Sequence, residues 1–416
     1  MKKNNLVQTI LLWSILLGMH TVIMTGCKTK AADQQQSGTS DVLSVPPLME
    51  RKGELASAAE WGKTKEKVAE LNQKIAKDAR DVKSRLQIAV IYIAEARVTG
   101  EHPYYYPAIL KILDGVLAID SRSFEALVYK SSVKMSQHQF AAAKEIAESA
   151  KNINPDNAYV YGILTDANVE LGNYEEAVKM SDKMQELKPS LESYSRASYL
   201  REIYGDYPGA IQAMKMAVEA GLPGSEPQCW SRKTLAHLYE KTGKWDEAEN
   251  QYQQILAKRP SYSFALEGLA KVEKNRKNYK KALELLEQAS AIMPEFSFEE
   301  ERGDIYMVMG DKPKAAEKYK TVLSMLAEDE KSGHISSLEK CRVYGKMGDY
   351  EKAMEEAQKE YRARPANIDV NQAMAWISYQ LNKPSEAIEY IKIATRTGSK
   401  DPELLEKAAS IRKSNG

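Results

Sequence analysis

The sequence predicts an all-α fold in which helical hairpins repeat along the chain and stack into a solenoid. One alanine recurs in a fixed local setting at steps of 34, 33, 38, 34, 33, 38 and 34 residues, the length of a helical hairpin. Glycine often lies five residues before this alanine, proline often lies twelve residues after it, and no strand pattern is evident. The recurring alanines are Ala143, Ala177, Ala210, Ala248, Ala282, Ala315, Ala353 and Ala387.

Composition excludes several classes of protein. Of 416 residues, 43% are hydrophobic and 28% charged, so a packed core is expected rather than disorder. Lys and Arg number 59 against 58 Asp and Glu, which gives no basic excess for nucleic acid. The three cysteines, Cys27, Cys229 and Cys341, are too few for a disulfide framework, and we expect the latter two to be buried packing residues.

The N-terminus predicts an exported protein. Lys2 and Lys3 precede an apolar run over 6–24, which ends in Met24-Thr25-Gly26-Cys27. This arrangement resembles a bacterial lipoprotein signal, which implies removal of residues 1–26 and acylation of Cys27. An uncleaved membrane-spanning anchor is the alternative. No other segment is apolar enough to span a bilayer.

Residues 27–53 predict a flexible tether, because the Gln-rich stretch 34–40 has no apolar period. Its mean span is roughly 25–30 Å by random-coil scaling. The resemblance implies lipid anchoring in the cell envelope. Lys28 differs from the Asp that retains lipoproteins in the inner membrane, so an outer-membrane anchor is expected if the host is diderm. The face of the membrane is left open.

Residues 54–81 predict an N-terminal helical cap or a degenerate hairpin, since Val68, Leu71 and Ile75 share one helical face. Residues 82–401 form the repeat array, and 402–416 predict a capping helix and tail. Three motifs mark the turns within hairpins: Gly-Asn-Tyr-Glu-Glu-Ala at 172–177, Gly-Lys-Trp-Asp-Glu-Ala at 243–248 and Gly-Asp-Tyr-Glu-Lys-Ala at 348–353.

These motifs closely resemble the tetratricopeptide repeat. The resemblance covers about nine repeats and implies a right-handed superhelical solenoid. Its pattern has physical reasons: Gly tolerates the left-handed conformation that ends a helix, small Ala lets two helices cross closely, and Pro ends the second helix. The stretch 217–394 also resembles a widespread group of exported bacterial repeat proteins, through 217–226 and Gln-Ala-Met-Ala-Trp at 372–376.

A second period of 105 residues relates Ala143 to Ala248 and Ala248 to Ala353. It reflects longer connectors at 221–227 and 328–333, which could mark a docking face or bend the superhelix. Chance loop lengths explain it equally well. The hairpin near 124 fits poorly, because Ser131 and Lys134 lie where apolar residues are expected, so a shifted first helix is predicted there.

The opening repeat carries an insertion at 101–107, which we interpret as a possible contact loop. Three adjacent rings, Tyr104, Tyr105 and Tyr106, cannot all point inwards, so at least one is expected to be exposed. That ring would contact a partner or close the end of the stack.

No catalytic constellation is present in the sequence. The histidines have no paired metal spacing, and there is no phosphate-binding loop, nucleophile elbow or dinucleotide fingerprint. We therefore predict a protein that is not an enzyme and needs no cofactor or metal. The histidines are His20, His102, His138, His237 and His334.

The resemblance implies that the first helix of each hairpin lines a concave groove that holds a protein or peptide. Rings beside charges suit peptide recognition, although each ring could equally pack hairpin against hairpin. The positions that the motif assigns to the groove are Tyr159, Asp166, Tyr199, Trp230, Lys233, His237, Phe264, Lys271, Trp376 and Tyr379.

The sequence therefore predicts a membrane-anchored scaffold or adaptor that binds a protein or peptide in the bacterial cell envelope. It predicts no nucleic-acid partner and leaves the oligomeric state open. Alternatives are a carbohydrate-capturing outer-membrane lipoprotein, an accessory factor of outer-membrane assembly or secretion, and an enzyme with its site hidden in the groove.

Overall fold

The computed structural model describes residues 43–56 and 58–413, which form one compact unit. The signal at 1–26, the lipidation site Cys27 and residues 28–42 of the predicted tether lie outside the described residues.

Helices account for nearly all of the described chain, and no strand occurs in it, which confirms the predicted all-α repeat fold. None of the helices in 43–56 and 58–413 has both the length and the apolar composition needed to cross a bilayer. In chain order the helices are α1 (Gly53–Ala56), α2 (Ala59–Lys77), α3 (Val82–Thr99), α4 (His102–Ile119), α5 (Phe124–Ser136), α6 (Phe140–Ile153), α7 (Ala158–Glu170), α8 (Tyr174–Leu187), α9 (Leu191–Ile203), α10 (Tyr207–Ala220), α11 (Glu226–Lys241), α12 (Trp245–Leu256), α13 (Ser263–Asn275), α14 (Tyr279–Ile292), α15 (Phe296–Val308), α16 (Lys312–Glu330), α17 (Ser337–Met347), α18 (Tyr350–Ala363), α19 (Ile368–Gln380), α20 (Pro384–Ala394) and α21 (Pro402–Lys413).

Helices α3 to α20 pair into nine consecutive hairpins, preceded by α2 and closed by α21. All eight recurring alanines lie in the second helix of a hairpin, and each is 0% exposed. A larger side chain would not fit where two helices approach this closely, so the periodic small residue marks the helix crossing. Each hairpin buries its remaining apolar face against the next one, as a solenoid requires.

Every hairpin turn contains one residue in the left-handed conformation. In six turns this residue is a glycine, such as Gly172 with φ 79°, and it ends the first helix without steric cost. In the other three turns the same position is held by His138, Lys277 and Asn382, with φ between 57° and 65°. The sequence motif shows only the glycine turns, so these three were not recognised as equivalent.

Several of the second helices end just before a proline. Helices α6, α8, α14 and α18 end at Asn154, Lys188, Met293 and Arg364, which have non-helical backbone angles, and a proline follows each of them. The clash between a proline ring and the preceding residue disfavours helical angles there. The hairpins are therefore joined by tight connectors.

The predicted shift of the hairpin near 124 is wrong. Helix α5 is in register, and Ser131 is fully buried and donates to the carbonyl oxygen of Ala143 at 2.6 Å. Ser198 makes the equivalent bond to Ala210 at 2.8 Å in another hairpin. A serine tolerates this apolar position because a backbone carbonyl of the facing helix accepts its hydroxyl proton.

The tether is shorter than predicted, because residues 45–51 are part of the folded unit. Val45, Leu48 and Met49 pack against the core of the first hairpin. Arg51 is buried and donates to both carboxylate oxygens of Glu95, at 2.7 and 2.8 Å, with its guanidinium 5.0 Å from the Trp61 ring. A bidentate buried pair of this kind fixes the segment in one position.

The segment predicted to be a contact loop is helical, since 102–107 forms the first turns of α4. In a helix successive side chains point about 100° apart, so three adjacent rings meet three different surfaces. Tyr105 is fully buried against Tyr92, Tyr106 stacks on His102, and the Tyr104 hydroxyl donates to the carbonyl of Pro47. None of the three rings is exposed, and Tyr104 and Tyr105 donate hydrogen bonds to segment 45–51. Contact of these tyrosines with a partner stays a prediction.

Residues about five hairpins apart meet where one superhelical turn contacts the next, along a line that we call the seam. Its first half joins the α5–α6 turn (136–139) to the connector after α16 (331–336). The side-chain amide of Gln137 donates to the backbone carbonyl of Ser332 at 2.5 Å. The backbone amide of Ile335 donates to the backbone carbonyl of Gln137 at 2.9 Å. The rings of His138 and His334 lie 4.2 Å apart within it. The second of the longer connectors therefore binds the earlier superhelical turn of the same chain.

The other half of the seam joins the α7–α8 turn to residues 364–368. Arg364 is buried and pairs with Glu360 on its own helix and with Glu170 on α7, both at 2.6 Å. The amide of Ile368 donates to the Tyr174 hydroxyl at 2.9 Å. These bonds join residues 194 positions apart, so the seam holds the two superhelical turns together.

Candidate functional site

The first helices of the hairpins present one face to a concave inner groove. On α11 this face carries Trp230, Lys233, His237 and Lys241, spaced three or four residues apart as one face of a helix requires. On α7, Tyr159 and Asp166 lie seven residues apart, so they also share a face.

Three of the rings that the motif assigns to the groove are exposed. Tyr159 and Tyr199 are each 41% exposed and Trp230 is 45% exposed. Large aromatic side chains usually bury most of their area in a monomer, so rings left open on successive first helices offer contact area to a partner.

The remaining predicted rings are partly buried by packing within the protein. Phe264 packs edge-on against Phe298 at 5.7 Å, and the ammonium of Lys233 lies 5.7 Å from the Phe264 ring. Trp376 packs against Tyr379 at 5.4 Å. For these residues the packing role is visible in the structure, and the contact role stays a prediction.

A cavity of about 670 Å³ lies in the groove. Helices α9, α11, α15, α17, α19 and α21 line it, and it brings together Tyr199, His237 and Trp376 of the predicted residues. The other predicted residues lie outside its wall. A volume of this size accommodates several amino-acid side chains.

The cavity also contains residues that sequence reasoning missed, Arg342 and Lys346 on α17 and Lys407 on α21. The motif does assign the first-helix face of α17 to the groove, so its repeat position was the available signal. Arg342 is exposed towards the cavity and makes no ion pair or hydrogen bond with any described residue. Burial alone would lower its pKa, but nearby carboxylates, chiefly that of Asp369, raise it, so the guanidinium stays charged.

Ion pairs organise the rest of the cavity wall. The ammonium of Lys241 lies 2.7 Å from Glu202 and 2.9 Å from Asp401, and that of Lys346 lies 2.7 Å from Glu300. Burial would lower the pKa of Lys241, but its two carboxylate partners raise it. Because these pairs are fixed, the wall presents alternating charges at set positions.

The two remaining predicted charges are both paired, Asp166 with the next first helix and Lys271 within its own helix. Asp166 accepts two hydrogen bonds from the Arg196 guanidinium, at 2.6 and 2.9 Å. Lys271 pairs with Glu267 at 3.0 Å, and although burial would lower its pKa, the carboxylates of Glu267 and Glu301 raise it. Both side chains thus support the groove wall in the unbound protein.

Within 43–56 and 58–413 no three His, Cys, Asp or Glu side chains are grouped so as to hold a metal ion. Cys229 and Cys341 are free and buried, as predicted. Burial raises the pKa of the Cys341 thiol to about 12, so this cysteine is an inert packing residue in the folded chain.

The sequence comparison supports a tetratricopeptide repeat protein, because the model of the tetratricopeptide repeat-like domain matches residues 209–339. No curated protein matches the sequence.

Solved structures with a similar chain path include a tetratricopeptide repeat protein from Parabacteroides merdae ATCC 43184, with 16% identity over 61% of this chain and 97% of that chain, and a TM-score of 0.42. The APC/C hetero-tetramer Cut9-Hcn1 shares 15% identity over 74% of this chain with a TM-score of 0.44, and the match spans 62% of that chain. A monomeric mutant of IFIT1 with Gppp-AAAA shares 15% identity over 82% of this chain and 78% of that chain, with a TM-score of 0.49.

Proposed function

We propose that this protein is an interaction scaffold of the bacterial cell envelope, anchored to a membrane by a lipid on Cys27, that holds a segment of a partner protein in its inner groove. The observation that carries the proposal is the row of exposed rings, Tyr159, Tyr199 and Trp230, on successive first helices, of which Tyr199 lines the cavity.

An extended segment of a partner fits this groove better than a small molecule does. The exposed rings are spread over three hairpins, which is longer than a single ligand pocket. Rigid aromatic rings supply contact area at low entropic cost, and the fixed charges of the wall would set the register of the bound segment.

The test compares partner capture by three forms of the full chain from detergent-solubilised envelopes. The test variant carries Tyr199→Ala and Trp230→Ala, which truncate solvent-exposed rings and leave the helix crossings intact. The matched control carries Tyr204→Ala, a ring of the same 41% exposure that does not line the cavity. The captured protein is then purified, and its affinity for each form is measured.

We expect the test variant to bind the purified partner at least tenfold more weakly and the control to bind it normally. Equal affinities for all three forms would exclude the groove as the binding site. The identity of the partner separates outer-membrane assembly or secretion from other envelope processes, and binding of soluble glycans instead would favour the carbohydrate alternative.

The anchor has a separate test. Lipidation adds a fixed mass to the N-terminal cysteine of the mature chain, and Cys27→Ser removes the acceptor. We expect the Cys27→Ser form to leave the membrane fraction or to retain its uncleaved signal. Normal processing and membrane attachment of that form would contradict the lipoprotein assignment.

A further inference from the structure

The seam covers only part of one edge of the solenoid. At Gly172, a methyl group added in place of the α-hydrogen would lie 2.3 Å from the backbone of Ala366 across the seam. At Gly243, Gly310 and Gly348, which occupy the same position in later hairpins, nothing lies within 4 Å. The turns of the later hairpins thus form an open edge.

This open edge carries an apolar tip at the end of α15. Met307, Val308 and Met309 are 41%, 59% and 50% exposed, and they are consecutive. No other three consecutive large apolar residues are exposed within 43–56 and 58–413. Exposed apolar runs of this kind mark contact surfaces in soluble domains.

Basic residues are concentrated in the turn that carries the tip and in the turn of the preceding hairpin. The turn after α15 (307–314) and the turn of the preceding hairpin (276–281) together contain six cations and one acid, in a chain with a net charge of only +1. The acid, Asp311, is held by Lys314 at 3.0 Å. We call this surface, residues 276–281 and 307–314, the basic tip. Its cations are Arg276, Lys277, Lys280, Lys281, Lys312 and Lys314.

Several of these cations are available to an outside anion. Lys277 and Lys312 are exposed and form no ion pair with a described residue, and the side chain of Lys280 is 94% exposed. Arg276 is already paired with Glu249 of the preceding hairpin, and Lys281 with Glu273 of its own hairpin, at 2.6 Å each. Exposed lysines without an ion pair therefore occur in both turns of the basic tip.

We propose that the basic tip docks on the surface of an anionic lipid bilayer. Lysines around a small apolar tip fit such a surface, because the apolar residues enter the interface while the ammonium groups contact anionic headgroups. Nucleic acid or an acidic protein would use the lysines but would leave Val308 and Met309 in water.

The inference rests on the proposed lipid anchor, which brings the folded unit to a membrane. The sixteen residue steps from Cys27 to Leu43 reach at most about 55 Å, so the unit stays within this distance of the bilayer. None of the residues of the basic tip lines the cavity, so docking leaves the groove open to a partner.

The test places an environment-sensitive fluorophore on the full chain bound to vesicles. Met309→Cys carries the reporter, and Leu405→Cys carries it in the control, because Leu405 has a similar exposure of 47% and lies on the closing helix. Cys229 and Cys341 are each 1% exposed and do not take up the label. The vesicles contain phosphatidylcholine alone or with phosphatidylglycerol.

We expect a blue-shifted emission, quenched by spin-labelled lipid, only for the reporter at 309 and only on vesicles with phosphatidylglycerol. The double substitution Lys277→Gln and Lys312→Gln should lower the equilibrium constant for docking on these vesicles roughly 30-fold. The exposed pair Lys63→Gln with Lys215→Gln should leave it unchanged.

A reporter at 309 that stays in water on anionic vesicles would overturn the docking proposal. A response on pure phosphatidylcholine, or one insensitive to the two lysine changes, would also overturn it, because the charge then plays no part. The mass of the peptide that contains Cys27 is measured on the same sample, so a failed anchor and a failed docking surface are told apart.

Discussion

The seam can be tested by two substitutions that differ only in what lies beside them. Gly172 and Gly348 occupy the same position in their hairpins, and both have φ 79°. Gly172 lies in the seam, whereas Gly348 has open space around its α-carbon. Replacing each by alanine applies the same backbone penalty to both hairpins and a steric clash to only one.

The expected magnitudes follow from these surroundings. A left-handed conformation costs an alanine about 1–2 kcal/mol, and both variants incur this cost. At Gly172 the added methyl would lie 2.3 Å from the carbonyl carbon of Ala366 and 2.7 Å from the nitrogen of Asn367. Because both neighbours are backbone atoms, the seam itself must open, at a further cost of about 1–3 kcal/mol.

Amide hydrogen exchange of Ile368 measures the seam directly, since its amide donates to the Tyr174 hydroxyl across the seam at 2.9 Å. A further loss of about 2 kcal/mol at the seam accelerates this exchange about 30-fold in Gly172→Ala. In Gly348→Ala the exchange should stay near the wild-type rate, although its own hairpin is weakened.

Equal protection of Ile368 in the two variants would refute the reasoning. That result would mean that the two superhelical turns do not contact each other at the seam in solution. A loss of stability of one hairpin alone, measured by urea unfolding, would not support the seam, because the seam contacts join residues about 194 positions apart.

Three further outcomes are expected. Burial lowers the pKa of His138 and of His334 to about 4. The neutral rings therefore stabilise the seam above about pH 6.5, and this stability is lost as the pH falls towards 4. Hydrogen exchange of seam amides over this pH range checks it. Glutamine at both positions should reduce the loss of stability in acid. Arg364→Ala leaves two carboxylates unpaired and should cost about 3–5 kcal/mol in urea unfolding, whereas Lys359→Ala, which removes an exposed pair, should cost less than about 1 kcal/mol. The Cys341 thiol, with its pKa raised to about 12, should react with a thiol reagent only after unfolding.

The candidate groove was predictable to the extent that repeat position determines which way a side chain faces. Tyr199, His237 and Trp376 were assigned in this way, and they line one cavity. Arg342 lies on the first helix of the hairpin whose turn carries the motif at 348–353, so its groove position could have been assigned in the same way. Which rings are exposed could not be predicted, because Phe264 is covered by Phe298 from the next hairpin and Trp230 has no such neighbour.

The N-terminal part shows where a local pattern misleads. A Gln-rich stretch followed by two prolines predicts a tether, and three adjacent tyrosines in an insertion predict an exposed loop. In the structure the two features meet, since Tyr92 donates to the carbonyl of Pro46 at 2.7 Å and the Tyr104 hydroxyl donates to that of Pro47. The sequence of neither segment reveals that its polar groups form hydrogen bonds with the other segment.

The sequence by itself determined the hairpins, because what ends a helix and what fits between two crossing helices are properties of residues close together in the chain. The glycine, alanine and proline spacing therefore predicts where the helices turn and cross, and the alanines are fully buried where expected. Only the tertiary structure decided the seam. Its contacts depend on the small rotation between one hairpin and the next, accumulated over five of them, and no local pattern records that sum. This rotation brings His138 against His334 and Arg364 against Glu170, and it leaves the edge at Val308 and Met309 open.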